Sequence, residues 1–108
     1  MPWTIEYYSE EVRVQIDTLP ADIRASYARL TELLEEFGLD LRMLHSRAMG
    51  GGLFELRPRG REGIARVFYC MKVGKRIIML HTFIKKTQET PKRELVIARR
   101  RQKEISGS

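Results

Sequence analysis

A chain of 108 residues and 12.7 kDa has room for one modest core and not for two. With 43% hydrophobic and 31% charged residues it fits neither a disordered polyelectrolyte nor a membrane protein, and no apolar run approaches the roughly 20 residues a membrane helix requires. The net charge of +6 is unevenly placed: residues 1–56 carry five Arg, no Lys and ten Asp or Glu, net −5, whereas residues 57–108 carry fifteen Lys or Arg and four Asp or Glu, net +11. A basic half of this kind suits a phosphate backbone or an acidic protein partner. The opening "MPWTIEYYSEE" has neither the basic nor the apolar region of a secretory signal, so a cytoplasmic location is expected. Cys70, the single cysteine, sits in the apolar run "VFYCM" and is expected to be a buried thiol.

Taken in chain order, "WTIEYYS" (3–9) alternates Ile5 and Tyr7 against Glu6 and Tyr8 and predicts a short strand. Ser9, followed by two glutamates, suits the N-cap of a helix over about 10–18. A second helix is predicted from Ile23, Tyr27, Leu30, Leu34 and Phe37, which recur at spacings of three and four between Pro20 and Gly38. The period then changes. Leu53 to Arg57, Ile64 to Lys72 and Arg76 to Ile84 predict three antiparallel strands, joined by a turn over residues 59–63 and a tight turn at Val73-Gly74-Lys75. "TPKRELVIARRRQKE" returns to a helical pattern with a thin apolar stripe of Leu95, Ile97 or Ala98, and Ile105, beginning at Pro91 behind Thr90. The domain is expected to span 1–105, with 106–108 as a tail.

Strand alternation puts Leu53, Glu55 and Arg57 on one side and Phe54 and Leu56 on the other, toward the helices. Arg66 shares a side with Ile64, Phe68 and Cys70, opposite Ala65, Val67 and Tyr69, and since both sides are apolar the alternation does not choose the core face. An arginine within such a strand is costly to bury unless it is paired or reaches an open surface. It therefore pairs with Glu55, or aims at phosphate, or does both. The last strand sorts Arg76, Ile78, Leu80, Thr82 and Ile84 against Ile77, Met79, His81 and Phe83, the pattern of a central strand covered on both faces. His81 reads as a partly buried strand histidine and His45 as a loop residue, and two histidines this far apart give no metal motif.

The order "ELRPRG", "RVFY", "LHTFIKKTQETP" and a basic terminal helix resembles the phage-derived, HigB-like branch of the RelE/ParE toxin superfamily, over nearly the whole chain. The resemblance implies an α+β domain of order β-α-α-β-β-β-α, a helical hairpin on one face of a small twisted, mainly antiparallel sheet, and an opposite face that is concave and basic. It further implies the toxin of a type II toxin-antitoxin system, a ribosome-dependent mRNA endonuclease in which the message's own 2′-hydroxyl attacks the adjacent phosphate. No metal or organic cofactor is implied. The implied partners are the ribosome with its mRNA and a helix-turn-helix, HigA-like antitoxin, through which alone operator DNA would be met. A gyrase inhibitor of the ParE kind, or a non-enzymatic RNA-binding or co-repressor domain, are the alternatives on the same fold.

Carried over by position, Arg57 and Arg66 are the expected phosphate clamps and Lys86 the stabiliser of the transition state or donor to the leaving oxygen. Glu55, where some relatives have lysine, either takes the 2′-hydroxyl proton or braces the two arginines, and its arginine neighbours favour bracing. Arg59, Arg61, Lys85, Lys92, Arg99 and Arg100 are the expected contacts to RNA or ribosome, with some cations of the terminal helix plainly solvated. Relatives often carry a tyrosine near their terminal helix. None follows Tyr69 here, which shifts the chemical burden onto Arg and Lys.

Overall fold

The computed structural model describes residues 2–38, 46–85 and 91–106. Its elements run β1 (Thr4–Tyr7), α1 (Glu10–Asp17), α2 (Ala21–Phe37), β2 (Ser46–Gly50), β3 (Leu53–Leu56), β4 (Arg59–Gly60), β5 (Gly63–Lys72), β6 (Arg76–Lys85) and α3 (Lys92–Ser106). The sheet has the order β1-β6-β5-β3-β2, with β4 pairing β5 off that path. Only β1 runs parallel to its neighbour, so the sheet is mixed. The fold is α+β, as expected. Two strands are additional: the turn predicted over 59–63 contains β4, and β2 occupies a stretch with no strand pattern of its own. His45 lies outside the described residues, as does Thr90.

The helical hairpin forms for local reasons. Ser9 Oγ accepts a hydrogen bond from the Val12 amide at 3.2 Å and caps α1, satisfying a donor the helix cannot. Gly38 ends α2 at φ 53°, a conformation that disfavours side chains, and a Cβ there would strike the Trp3 indole. Between these caps the buried stripe of Val12, Ile16, Ile23, Leu30 and Leu34 packs on Ala65, Val67, Tyr69, Ile77 and Met79 of the central strands. At about 1.5–3 kcal/mol for each large apolar side chain buried, this layer is the main source of stability.

The same packing settles which side of β5 faces the hairpin. Ala65, Val67 and Tyr69 do, and Phe68 and Cys70 turn to the opposite face, where α3 lies over them with Leu53, Ile78, Leu80 and Ala98 in a second buried cluster. That opposite face is therefore not wholly open, which corrects the expectation of one concave basic surface: the apolar stripe of α3 must be buried somewhere, and Phe68, Cys70 and Leu80 supply the place. The alternation expected along β6 also fails at one point. Phe68 pairs with His81 but Tyr69 pairs with Met79, so Leu80 is an extra residue and the strand shifts register. Leu80 and His81 consequently both serve the α3 side, Leu80 by packing and His81 through Glu94. Ser106, expected in a tail, is the last residue of α3, its hydroxyl donating to the Gln102 carbonyl at 2.7 Å. Among the described residues no helix is long and apolar enough to cross a membrane.

Candidate functional site: a basic face around a buried ion pair

Helix α3 covers only part of its face of the sheet. Its N-terminal end is pinned at His81, whose Nε2 is 2.8 Å from Glu94 Oε1, and Arg101 donates to the Leu80 carbonyl at 2.7 Å while its guanidinium lies 4.9 Å from the Tyr8 ring centroid. Farther along, Arg99 donates to the Met49 and Gly50 carbonyls at 2.8 and 2.6 Å, and Gln102 donates to the Gly51 carbonyl at 2.8 Å. These bonds clasp the turn between β2 and β3, where Gly50, Gly51 and Gly52 all have positive φ. Arg99, expected at RNA, thus holds the fold together through both terminal nitrogens.

Beyond the covered part lie Glu55 of β3 and Arg66 of β5. Glu55 faces Phe68 across the ladder, so Arg66, two residues earlier on β5, meets it diagonally. Arg66 Nε is 3.4 Å from Glu55 Oε1, close enough for an ion pair, and the two side chains are 8% and 1% exposed. The pair foreseen from sequence is present. It does not satisfy the guanidinium: Nε and Nη1 of Arg66 have no hydrogen-bond partner among the described residues, so the contact with Glu55 is electrostatic without being aligned as a hydrogen bond. Burial pulls the Arg66 pKa below the ordinary arginine value. Glu55 opposes that shift, while Arg57, Arg59 and Arg47 add to it by like-charge repulsion.

Lys85 belongs to the same group. It ends β6 opposite Ile64, on the alternation that carries His81 and Phe83 and therefore on the Arg66 side. Burial lowers its pKa first, Arg66 second, with Glu55 opposing and Arg47 and Arg57 contributing further repulsion. Lys86, the residue weighted most heavily from sequence, lies outside the described residues.

The other expected residues divide clearly. Arg57 is half-buried and Arg59 is exposed, both near enough to repel Arg66. Arg61 is drawn elsewhere: its amide donates to Asp22 Oδ2 at 2.6 Å, and it lines a shallow depression with Pro20, Ala21 and Glu62 beside the start of α2. Lys92 and Arg100 are exposed on α3. The sequence reading missed Arg47, which β2 places directly opposite Glu55. It also missed the partner of His81, since Glu94 is thirteen residues away on another element.

Chemically, the open part of this face gathers Arg47, Arg57, Arg59, Arg66 and Lys85 around one buried carboxylate. Like charges gathered in this way repel one another in the folded chain, and an anion with several charged oxygens relieves that repulsion.

No curated protein matches the chain significantly. The crystal structure of the archaeal RelE-RelB complex from Pyrococcus horikoshii OT3 matches in fold, with a TM-score of 0.57 at 20% identity, covering 80% of this chain and 98% of that one. The family described as "Phage derived protein Gp49-like (DUF891)" matches residues 14–103. By that match over most of its length, and by three helices on a mixed sheet of the RelE kind, the chain belongs to the phage-derived Gp49-like family, a RelE/HigB-type toxin family.

Proposed function

We propose that this chain is the toxin of a type II toxin-antitoxin system and that it cuts mRNA on the ribosome. The observation that carries this reading is Arg66: a guanidinium more than nine-tenths buried, paired with Glu55 yet with two nitrogens lacking a hydrogen-bond partner among the described residues, and with further cations around it. A buried cation left incompletely paired costs stability, so its retention suits a ligand that completes it. A phosphodiester is such a ligand.

In the reaction, the message's 2′-hydroxyl gives its proton to solvent water and attacks the adjacent phosphorus, forming a 2′,3′-cyclic phosphate while the bond to the 5′-oxygen of the next nucleotide breaks. Negative charge builds on the non-bridging oxygens, and in this reading Arg66 and Arg57 hold it. Lys85 or Lys86 supplies a proton to the leaving 5′-oxygen. A lysine whose pKa is lowered, as that of Lys85 is, gives up its proton more readily. Glu55 acts chiefly as a positioning residue: at 1% exposure it holds Arg66 against the sheet and has little access to a 2′-hydroxyl. The exposed Lys92 and Arg100 of α3 would contact ribosomal RNA through its phosphates. Work on ribosomes implies a cytoplasmic site of action, with restraint by a cognate antitoxin. The fold match was solved as a complex with RelB, which supports a protein antitoxin here. We propose that this antitoxin is of the HigA-like helix-turn-helix kind.

Primer extension on a message in a purified translating system tests this. Cuts that require ribosomes and disappear in Arg66→Ala are expected, whereas relaxed or cleaved plasmid with intact message would select gyrase inhibition instead. Message left intact by the wild-type chain, with RNA or antitoxin binding retained, would favour the non-enzymatic reading.

A further inference from the structure

The strand β2 has no apolar alternation and lies at the edge of the sheet, where among the described residues only β3 pairs with it. What it contributes to the open face is Arg47, exposed and directly opposite the buried Glu55, on the side of the sheet that carries Arg66. Exposed as it is, Arg47 adds a cation to a face that already repels itself. It lies two strands from Arg66, or about 10 Å across the sheet, and is offset by two residues, roughly 7 Å, along it. At that separation two long guanidinium arms standing side by side can reach neighbouring phosphates of one strand.

We infer that Arg47 is a further RNA-binding residue of this site, gripping the phosphate next to the one that Arg66 holds. The inference rests on the proposed reading of the site as a message-cutting one. It assigns Arg47 to binding and alignment of the strand, with the bond-breaking step left to the group around Arg66. Its removal therefore raises KM and leaves kcat nearly unchanged, whereas loss of Arg66 lowers kcat. Because the contact is to backbone, the weakening is the same for messages of different sequence.

The readout independent of cleavage is the salt dependence of binding. Fluorescence anisotropy is measured with the full chain and a short 2′-O-methyl RNA, which has no free 2′-hydroxyl to attack, over a series of salt concentrations. Each phosphate contact contributes about 0.7 to the slope of log affinity against log salt for a single strand. Arg47→Ala should flatten the slope by about that amount and weaken binding throughout, and Arg47→Lys, which keeps a charge, should keep most of the slope. Arg47→Gln serves as a second neutral variant should the alanine chain fail to fold. An unchanged slope in the neutral variants overturns the inference, and so does a loss confined to antitoxin binding or a fall in kcat as large as that of Arg66→Ala. If the wild-type chain cuts no message on ribosomes but Arg47→Gln still flattens the slope, the nuclease reading fails and the Arg47 contact stands. If the wild-type chain cuts and the slope does not move, the Arg47 contact alone is lost.

Discussion

Two acid–base pairs lie on the same face of the sheet and are finished in opposite ways. His81 and Glu94 meet at 2.8 Å, are 10% and 13% exposed, and have Arg101 beside the second ring nitrogen, with Nη1 3.5 Å from Nδ1. Arg66 and Glu55 are at least as buried, yet their nearest atoms are 3.4 Å apart and two arginine nitrogens are left over among the described residues. Burial alone does not tell the two apart. Completeness does: the covered pair is closed by a helix, whereas Arg66 keeps two nitrogens without a hydrogen-bond partner among the described residues. A pair of the first kind anchors structure, and one of the second kind is available to a ligand.

The largest effects should come from breaking the open pair. Glu55→Ala leaves Arg66 buried among cations without its paired carboxylate, and a loss of about 3–5 kcal/mol is expected in chemical denaturation. Arg66→Ala should cost message cutting ~10²- to 10³-fold, the scale of losing one preorganised charge donor. If the two variants lost stability equally and activity equally, the pair would be as structural as His81–Glu94.

A sharper form of the comparison replaces both partners at once. In Glu55→Leu with Arg66→Met the desolvation of two charges disappears and apolar volume remains, so stability should hold or rise by about 1–4 kcal/mol while cutting is abolished. Melting and primer extension on the same preparation check this. The covered pair should behave differently: Glu94→Ala leaves His81 Nε2 unpartnered at the foot of α3, with an expected loss of about 1–3 kcal/mol and faster amide exchange along that helix. Cutting at saturating ribosomes should survive it.

The contrast also explains what could be read from the chain and what could not. Both hairpin helices, β3, β5, β6 and α3 announce themselves by period, and the pairing of Arg66 with Glu55 follows from an arginine and a glutamate on adjacent apolar strands. The strand β2 could not be read, because Ser46-Arg47-Ala48-Met49-Gly50 owes its conformation to the register of β3 and to the clasp of Arg99 on the glycine turn. Arg47 was lost with it. The alternation on β6 misled at a single residue, since one extra position at Leu80 reverses the facing of everything after it. Which part of the face α3 covers was equally invisible: a stripe of Leu95, Ala98 and Ile105 says that the helix buries something without saying where.

The reversal at Leu80 bears directly on which lysine acts. It turns Lys85 toward Arg66, and burial together with Arg66 holds the Lys85 pKa below the ordinary lysine value. Folded Lys85 thus gives up its proton at a lower pH than it does in the unfolded chain. Between those two values the unfolded state binds more protons, so the stability of the folded chain should rise with pH across that window, in the alkaline range just below the usual lysine pKa. RNA binding should move the other way, because the phosphate is held by the protonated form. Lys85→Met should remove the rise in stability, and Lys85→Arg, which stays charged, should keep binding level to higher pH. The effect is the smallest of those expected, since Lys85 is only half-buried and salt screens what it feels. A Lys85→Met chain whose stability and binding follow the wild-type pH course would remove Lys85 from the site and leave the lysine role to Lys86.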